Sequence, residues 1–500
     1  MTRSIRFAPL ALFLVAACGG DNSLPVAGLK LTATSNSPPT AGQPFNVTVT
    51  AIDATGATAK GYKGTVHLTS SDSAAVLPAN FTFAASDSGV KQVPVTLKSA
   101  GLGSLNAIDT ANAGILGSVT VGVQPGAAAT CVAAQTSSTS VAGTAVGITV
   151  LMRDAFGNLA TSYAGTVKLT STDARATLPP NATFAPATDS GSHAFAASLL
   201  TTGAQTLTAT DVANAALHCD ASFTVNPAAP KLVITIPSNA SAGYGVTVGV
   251  AVKDLYDNAI SNYSGTVTFT STDSGAGAVK PANLTFTGSE GGVGSTSATF
   301  VSLGSQTLSA TDAGTPVASG SASSSVHGLA YSAPTSGRVR LVANAAQSNT
   351  QVVQLDLVAN ERLVISSFFG GGPGSFATGM NLPLDTTRVG ADATLFTAGN
   401  ALPAGTGTPA AAGKIGATDH VLYTVVARKR VATPIFSQVT EVQPGQVFYS
   451  VRLKLQQNAT VGPVFDGAQP SPLYRASVRD QYGNDFVGQN EFGVGRLEVR

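Results

Sequence analysis

The strongest constraint on this 500-residue chain is an internal repeat about 100 residues long. The segment Phe45-Asn-Val-Thr-Val-Thr-Ala-Ile-Asp53 recurs as Val146-Gly-Ile-Thr-Val-Leu-Met-Arg-Asp154 and again as Val246-Thr-Val-Gly-Val-Ala-Val-Lys-Asp254. The closing aspartates are therefore spaced 101 and then 100 residues apart. That period matches the size of a domain that folds around its own core. After each aspartate comes a turn, then Tyr62, Tyr163 or Tyr263, then a strand opening on Gly-Thr-Val. Later markers keep the register: Asp72, Asp173 and Asp273; Phe83, Phe184 and Phe286; Asp109, Asp211 and Asp312.

The apolar runs are four to eight residues long, β-branched and of period two. Phe45, Val47, Val49 and Ala51 fall on one face of such a run, and Asn46, Thr48 and Thr50 on the other. This is the pattern of a strand with one buried and one wet face. Threonine suits the wet face because its branched Cβ fits a pleated strand. Turns rich in Gly, Pro, Asp and Ser, such as Asp87-Ser88-Gly89 and Asp189-Ser190-Gly191, separate the runs. About seven short strands per 100 residues predict an immunoglobulin-like sandwich. No run has a 3.6-residue period, so helices are expected to be nearly absent. The fold class is all-β: three tandem sandwiches, residues 27–126, 127–228 and 229–328, then a larger β-sandwich over 329–500.

Composition excludes several chemistries. Lys+Arg at 27 and Asp+Glu at 26 leave a net charge of +1, which argues against a nucleic-acid-binding stripe. Only 11% of residues are charged, yet 43% are hydrophobic, enough for several cores and too many for a disordered chain. Three cysteines and no tryptophan rule out a disulfide-dense miniprotein and a cysteine-rich zinc protein.

The order strand, Asp-Ala-Phe-Gly-Asn-type turn, Tyr, Gly-Thr-Val, Leu-Pro, Phe, Asp-x-Gly resembles bacterial extracellular immunoglobulin-like repeats. Filamin- and invasin-like modules of surface proteins and adhesins are similar. The resemblance covers about residues 27–327 and implies a fold and an extracellular location, with the modules acting mostly as spacers. Repeat one departs from it at Asp53-Ala-Thr-Gly-Ala57, which lacks the asparagine found at Asn158 and Asn258 and so speaks against the turn as a binding site. Cys131 and Cys219 lie near the start and end of repeat two. In such a sandwich the first and last strands run side by side, so a Cys131–Cys219 bridge is expected, with two buried thiols as the alternative. Closing that 88-residue loop contributes roughly 4–5 kcal/mol in the chain-entropy model.

The N-terminus has its own signature. Arg3 and Arg6 precede the apolar run Phe7–Ala17, which is short for a transmembrane helix but long enough for a signal-peptide core. Val15-Ala16-Ala17-Cys18 resembles the bacterial lipobox, in which the chain is cut before the cysteine and its sulfur is acylated. The resemblance implies a signal peptide over 1–17, lipidation of Cys18, a tether over 18–26 and a membrane partner held through acyl chains. Gly19 and Gly20, with no aspartate directly after Cys18, imply an outer-membrane or cell-surface address.

From Leu329 onward the repeat is lost, and 14 basic against 11 acidic residues give this region a local net of +3. Runs such as 352–358 and 447–455 read as strands, and long loops are expected at Gly370–Gly374 and Ala398–Gly416. The pattern is faintly similar to cohesin-like modules. Asp480-Gln-Tyr-Gly-Asn484 echoes the repeat turn Asp154-Ala-Phe-Gly-Asn158.

Candidates for chemistry are few. His67, His193, His218, His327 and His420 are scattered singly, with no metal-ligand spacing. There is no Gly-x-Ser-x-Gly elbow, and Gly370–Gly374 lacks the Lys-Ser/Thr of a phosphate loop. Asp356, Glu361 and Glu441 give no sign of converging as a glycosidase pair. Arg428-Lys429-Arg430 reads as a solvated strand end, or as a contact for acidic polysaccharide or lipid headgroups. Asp154 with Asn158, and Asp254 with Asp257 and Asn258, gather oxygens at one turn, where they either cap the turn or hold Ca²⁺. No other cofactor is expected. The chain therefore reads as a non-enzymatic, lipid-anchored envelope protein whose repeats present the C-terminal domain for adhesion to a surface polysaccharide or protein. The alternative is a polysaccharide-binding or -degrading accessory protein acting through residues 329–500.

Overall fold

A computed structural model describes residues 24–34, 38–314, 317–366, 375–401, 410–429, 439–468, 474–479 and 485–500. Cys18 with the signal segment, the Asp480–Asn484 turn, the Gly370–Gly374 run and the side chains of Arg428, Lys429 and Arg430 lie outside the described residues. The chain divides into two compact units, residues 1–226 and 227–500.

In the first unit the period-two runs form strands as expected. Repeat one pairs Val26–Thr34, Pro44–Asp53 and Val90–Thr96 in one antiparallel sheet. Phe81–Thr82, Thr65–Ser70, Gly101–Asp109 and Leu116–Val123 form the other. Val47, Val49 and Ala51 are fully buried and meet Val66, Leu68, Leu105 and Ala107. Each such valine contributes roughly 1.5–3 kcal/mol by leaving water. Wet-face threonines pair across strands, as Thr65 and Thr82 do at 2.8 Å. Repeat two repeats the plan, and the change of sheet that is a single parallel bridge in repeat one, Thr40 to Gln124, becomes a short strand: after Thr130–Gln135 the chain crosses and Thr139–Val141 pairs in parallel with His218–Asn226. Helix is confined, among the described residues, to one four-residue turn, Pro186–Asp189, and three 3₁₀ turns.

In the second unit, repeat three has the same two sheets, of three and five strands. The C-terminal region is a larger sandwich. One five-stranded sheet has the order Val389–Ala398, Val447–Leu455, Val352–Ala359, Val339–Ala343, Phe492–Gly493. Another has the order Ala410–Ile415, Val421–Lys429, Ser375–Pro383, Arg475–Arg479, Asp485–Val487. Repeat three and the C-terminal sandwich share one contiguous apolar core, from Leu232 to Val499. One expectation is corrected here. The stretch Ala398–Gly416 is not all loop, because Ala410–Ile415 is an edge strand on Val421–Lys429. Its small residues hid the alternation that marks strands elsewhere.

Candidate functional site: the module junctions

A carboxylate buried in an apolar sandwich has to find donors or lose its charge. The recurrent aspartates find them. Asp72 accepts the backbone N–H groups of Lys98 and Ser99 at 2.6 and 2.9 Å and the Ser99 hydroxyl at 2.7 Å. Burial pulls its pKa up, but these donors outweigh burial and hold it at about 2. Asp173 does the same for Leu200 and Thr201, and Asp273 for Val301 and Ser302. The marker tyrosines both pack and bond. Tyr62, Tyr163 and Tyr263 each donate the phenol to Asp109, Asp211 and Asp312 and turn an edge to Phe83, Phe184 and Phe286. Burial first, then the carboxylate, pushes these phenols above their ordinary range.

The loop that Asp72 pins is where repeat two docks on repeat one. The Asp154–Asn158 turn closes on itself: Asp154 Oδ1 accepts the N–H groups of Phe156 and Asn158, each at 2.9 Å. Its Oδ2 accepts Asn158 Nδ2 and, from the connecting segment, the N–H of Gly126, also at 2.9 Å. Asn158 then reaches across the junction. Its Nδ2 donates to the Lys98 carbonyl at 2.7 Å and its Oδ1 accepts the Ala100 N–H at 2.9 Å. Phe156 lies over Gly42, where a Cβ would sit 2.0 Å from the ring, and Lys98 Nζ stands 5.8 Å from the same ring's centre. Gly42 also has φ +79, so two independent conditions call for glycine there.

The corresponding pole of repeat three holds the C-terminal sandwich. The Val301 carbonyl, in the loop pinned by Asp273, accepts the Thr350 hydroxyl at 2.9 Å. Gln351 lies over Gly243, which has φ +77 and where a Cβ would come within 2.7 Å of the amide. Tyr244 donates to the Leu455 carbonyl at 2.6 Å under Lys454 Nζ. Within each unit, the same pole of an immunoglobulin-like module grips its neighbour.

The calcium candidates take other roles. All four short bonds to Asp154 come from N–H groups, and Asp254 likewise accepts Tyr256, Asn258 twice and Ala228. Burial raises both pKa values, but the asparagine side chain and the amides more than offset it and leave both carboxyls below their usual range. Asp257 does not join the cluster: at φ +66 its side chain is 68% exposed and pairs with Lys231 at 2.7 Å. In the structure Asp154 and Asp254 cap their own turns, and Asn158 reaches across a junction. No group of three metal-ligating side chains occurs among the described residues.

Cys131 and Cys219 stand bonded with Cα atoms 5.4 Å apart. The first and last strands of the module run side by side, as expected, at the edges of its two sheets. The strands that carry them are not hydrogen-bonded neighbours. Thr130–Gln135 pairs with Ala145–Arg153 and His218–Asn226 with Gly203–Asp211, so the sulfurs join the two sheets across the sandwich. The histidines bond separately, as His67 does to Asn80, His327 to Asn239 and His420 to Thr386, while His193 bonds Asp189 and packs on Phe184 and Phe195. Glu361 is engaged by Arg338, Glu441 by Arg362, and Asp356 by Asn344 and Gln354.

Sequence reasoning missed the docking role of Asn158 by taking Ala57 in repeat one as a sign of a dispensable turn. The asparagine was itself the signal, because its carboxamide makes both bonds to Lys98 and Ala100 and Ala57 has no polar side chain to make them.

No family model and no curated protein matches the chain. Solved structures do. FdeC, a broadly conserved Escherichia coli adhesin, aligns at TM-score 0.37 and 16% identity, over 61% of this chain and 99% of that one. Invasin, a bacterial integrin-binding protein, aligns at TM-score 0.27 and 12% identity, over 94% of this chain and 99% of that one. The tetra-tandem repeat from the extending region of a large adhesion protein aligns at TM-score 0.25 and 16% identity, over 94% and 98%. Function is read from the chain's own geometry.

Proposed function

We propose that this is a non-enzymatic surface lipoprotein. In this reading Cys18 carries the lipid anchor, three immunoglobulin-like modules with limits near residues 126, 228 and 328 form the spacer, and the C-terminal sandwich is presented for adhesion. The observation that carries the proposal is the docking pole. A spacer needs junctions that resist bending, and a loop pinned from below by a buried aspartate and gripped from above supplies one. The Cys131–Cys219 bridge staples the second module and suits an oxidising compartment. Two measurements test this reading. Cys18→Ala should move the protein from the membrane to the soluble fraction; persistence in the membrane overturns the anchor. Pulsed-EPR labels at Thr69→Cys and Lys168→Cys should give one narrow distance distribution, and a broad one overturns the stiff junction.

A further inference from the structure

The three modules treat one exposed sheet edge differently. In each, a strand closes the three-stranded sheet: Val90–Thr96, Ser192–Ser198 and Val293–Thr299. Each pairs along one side only, apart from a single bridge at its last residue, to Val76, Thr177 or Val279. That bridge fixes which backbone groups face away from the sheet. Ser198 donates its N–H to the Thr177 carbonyl at 3.0 Å and accepts the Thr177 N–H at 2.9 Å, whereas the Gly191 carbonyl accepts the Met152 N–H from the neighbouring strand. Backbone groups alternate along a strand, so Ser192, Ala194 and Ala196 also aim N–H and C=O outward. An open row of this kind is a template for another strand.

Repeat one blocks the row. Pro94 stands two residues before the bridge, where the other copies have Ala196 and Ser297, and it has no N–H to offer. Lys91 adds a charge to the same strand. Proline and lysine are the usual guards of a sheet edge. Repeat two has neither: Ser192-His-Ala-Phe-Ala-Ala-Ser198 carries no lysine, arginine or carboxylate. Its His193 is held by Asp189 at 3.0 Å. Ala194 and Ala196 are exposed, and their methyl groups leave room for a further strand at the ordinary spacing of about 4.8 Å. Repeat three also lacks the proline, but Gly294 loosens its strand.

The occupant that fits this edge is the edge itself. Antiparallel pairing about a two-fold axis at Ala194 sets Ala194 against its own copy and Ser192 against Ala196. Each facing pair exchanges two N–H···O bonds, about six in all, and no like charges are brought together. We propose that the Ser192–Ser198 edge pairs with the same edge of a second copy of this chain, joining two three-stranded sheets into one. Backbone bonds alone make a weak pair, suited to copies crowded on one surface. Such pairing goes beyond the adhesion reading and takes from it only the crowding.

The test is sedimentation velocity of the full chain carrying Cys18→Ala, so that no acyl chain drives association. The weight-average coefficient should rise toward that of a dimer between about 10 µM and about 0.5 mM. Ala196→Pro, which copies the guard of repeat one, should weaken the dimer about tenfold at an unchanged melting temperature. Ala194→Lys should weaken it too, and added salt should restore part of the loss. An equimolar mixture of Ala194→Lys and Ala194→Glu should dimerise more tightly than either variant alone, as a register with Ala194 facing itself requires. The charge variants serve if Ala196→Pro misfolds. A chain that stays monomeric throughout, a folded Ala196→Pro chain that dimerises unchanged, or a mixture no tighter than its components overturns the proposal. None of these outcomes touches the junction distances, which judge the spacer reading separately.

Discussion

The two junctions use the same pole and hold it by different means. Between repeats one and two, the grip on the pinned loop is a side-chain clamp: Asn158 on Lys98 and Ala100, set in place by Asp154. Between repeat three and the C-terminal sandwich, the hydroxyls of Thr350 and Tyr244 seal a boundary across which the apolar core is continuous. A clamp of this kind travels with the module and needs only a loop carbonyl and amide on its neighbour. A fused core is specific to one partner and loses little when one polar contact is cut. The clamp should therefore be sensitive to single substitutions and to acid, and the fused junction should be insensitive to both.

The largest expected effect is Asp154→Ala. The carboxylate is 2% exposed, and its loss leaves the N–H groups of Gly126, Phe156 and Asn158 without their acceptor. Orphaning buried donors costs about 3 kcal/mol. Calorimetry on the full chain should show a lowered transition, and Asp53→Ala, at a partly exposed turn where it caps only Thr55 and Ala57 among the described residues, should shift it far less. Equal shifts would mean that Asp154 acts only as a local cap.

Acid is the next lever. Asp72 sits at about 2 in the folded chain against an ordinary value near 3.8, so its contribution is complete above pH 4 and lost as pH falls toward 2. Asp154 is also depressed and acts in the same direction. Together they hold both sides of the clamp, and the Asp72 part alone is about 2 kcal/mol. The Thr69→Cys/Lys168→Cys distance should broaden between pH 4 and pH 2. A pair at Thr268→Cys and Ala393→Cys, across the fused junction, should hold longer: Asp273 pins its loop and is depressed as Asp72 is, but the apolar core continues through the boundary and the groups that bond across it are hydroxyls and carbonyls. Simultaneous broadening at pH 4 would remove the distinction.

What the sequence made legible follows from how local each signal is. The faces of Pro44–Asp53 could be read from alternation alone, since Phe45, Val47, Val49 and Ala51 are buried as the period requires. The Asp72, Tyr62 and Asp109 markers could be seen to recur, but not that Asp72 holds a loop 26 residues away or that Tyr62 bonds Asp109, because those pairings depend on how the sheets stack. Asn158 was legible only as a difference between copies. In the C-terminal sandwich no copy exists to compare, and its sheets gather strands from Leu329 to Val499. The edge strand Ala410–Ile415 is nearly all alanine and glycine, so it carries no alternation to read.

The smallest effects separate the two designs most directly. Asn158→Ala keeps the Asp154 cap but removes both bonds across the junction, at a cost of about 1–2 kcal/mol. Because no apolar core has to open with it, the module should stay folded while the Thr69→Cys/Lys168→Cys distribution broadens. Tyr244→Phe removes one hydrogen bond, to the Leu455 carbonyl, and costs about 1 kcal/mol. There the core around Leu329, Val339 and Val326 continues through the boundary, so the Thr268→Cys/Ala393→Cys distance should not change. If Tyr244→Phe broadens its junction as much as Asn158→Ala broadens the other, the shared core is not what fixes the C-terminal sandwich. Both junctions would then rest on polar side chains alone.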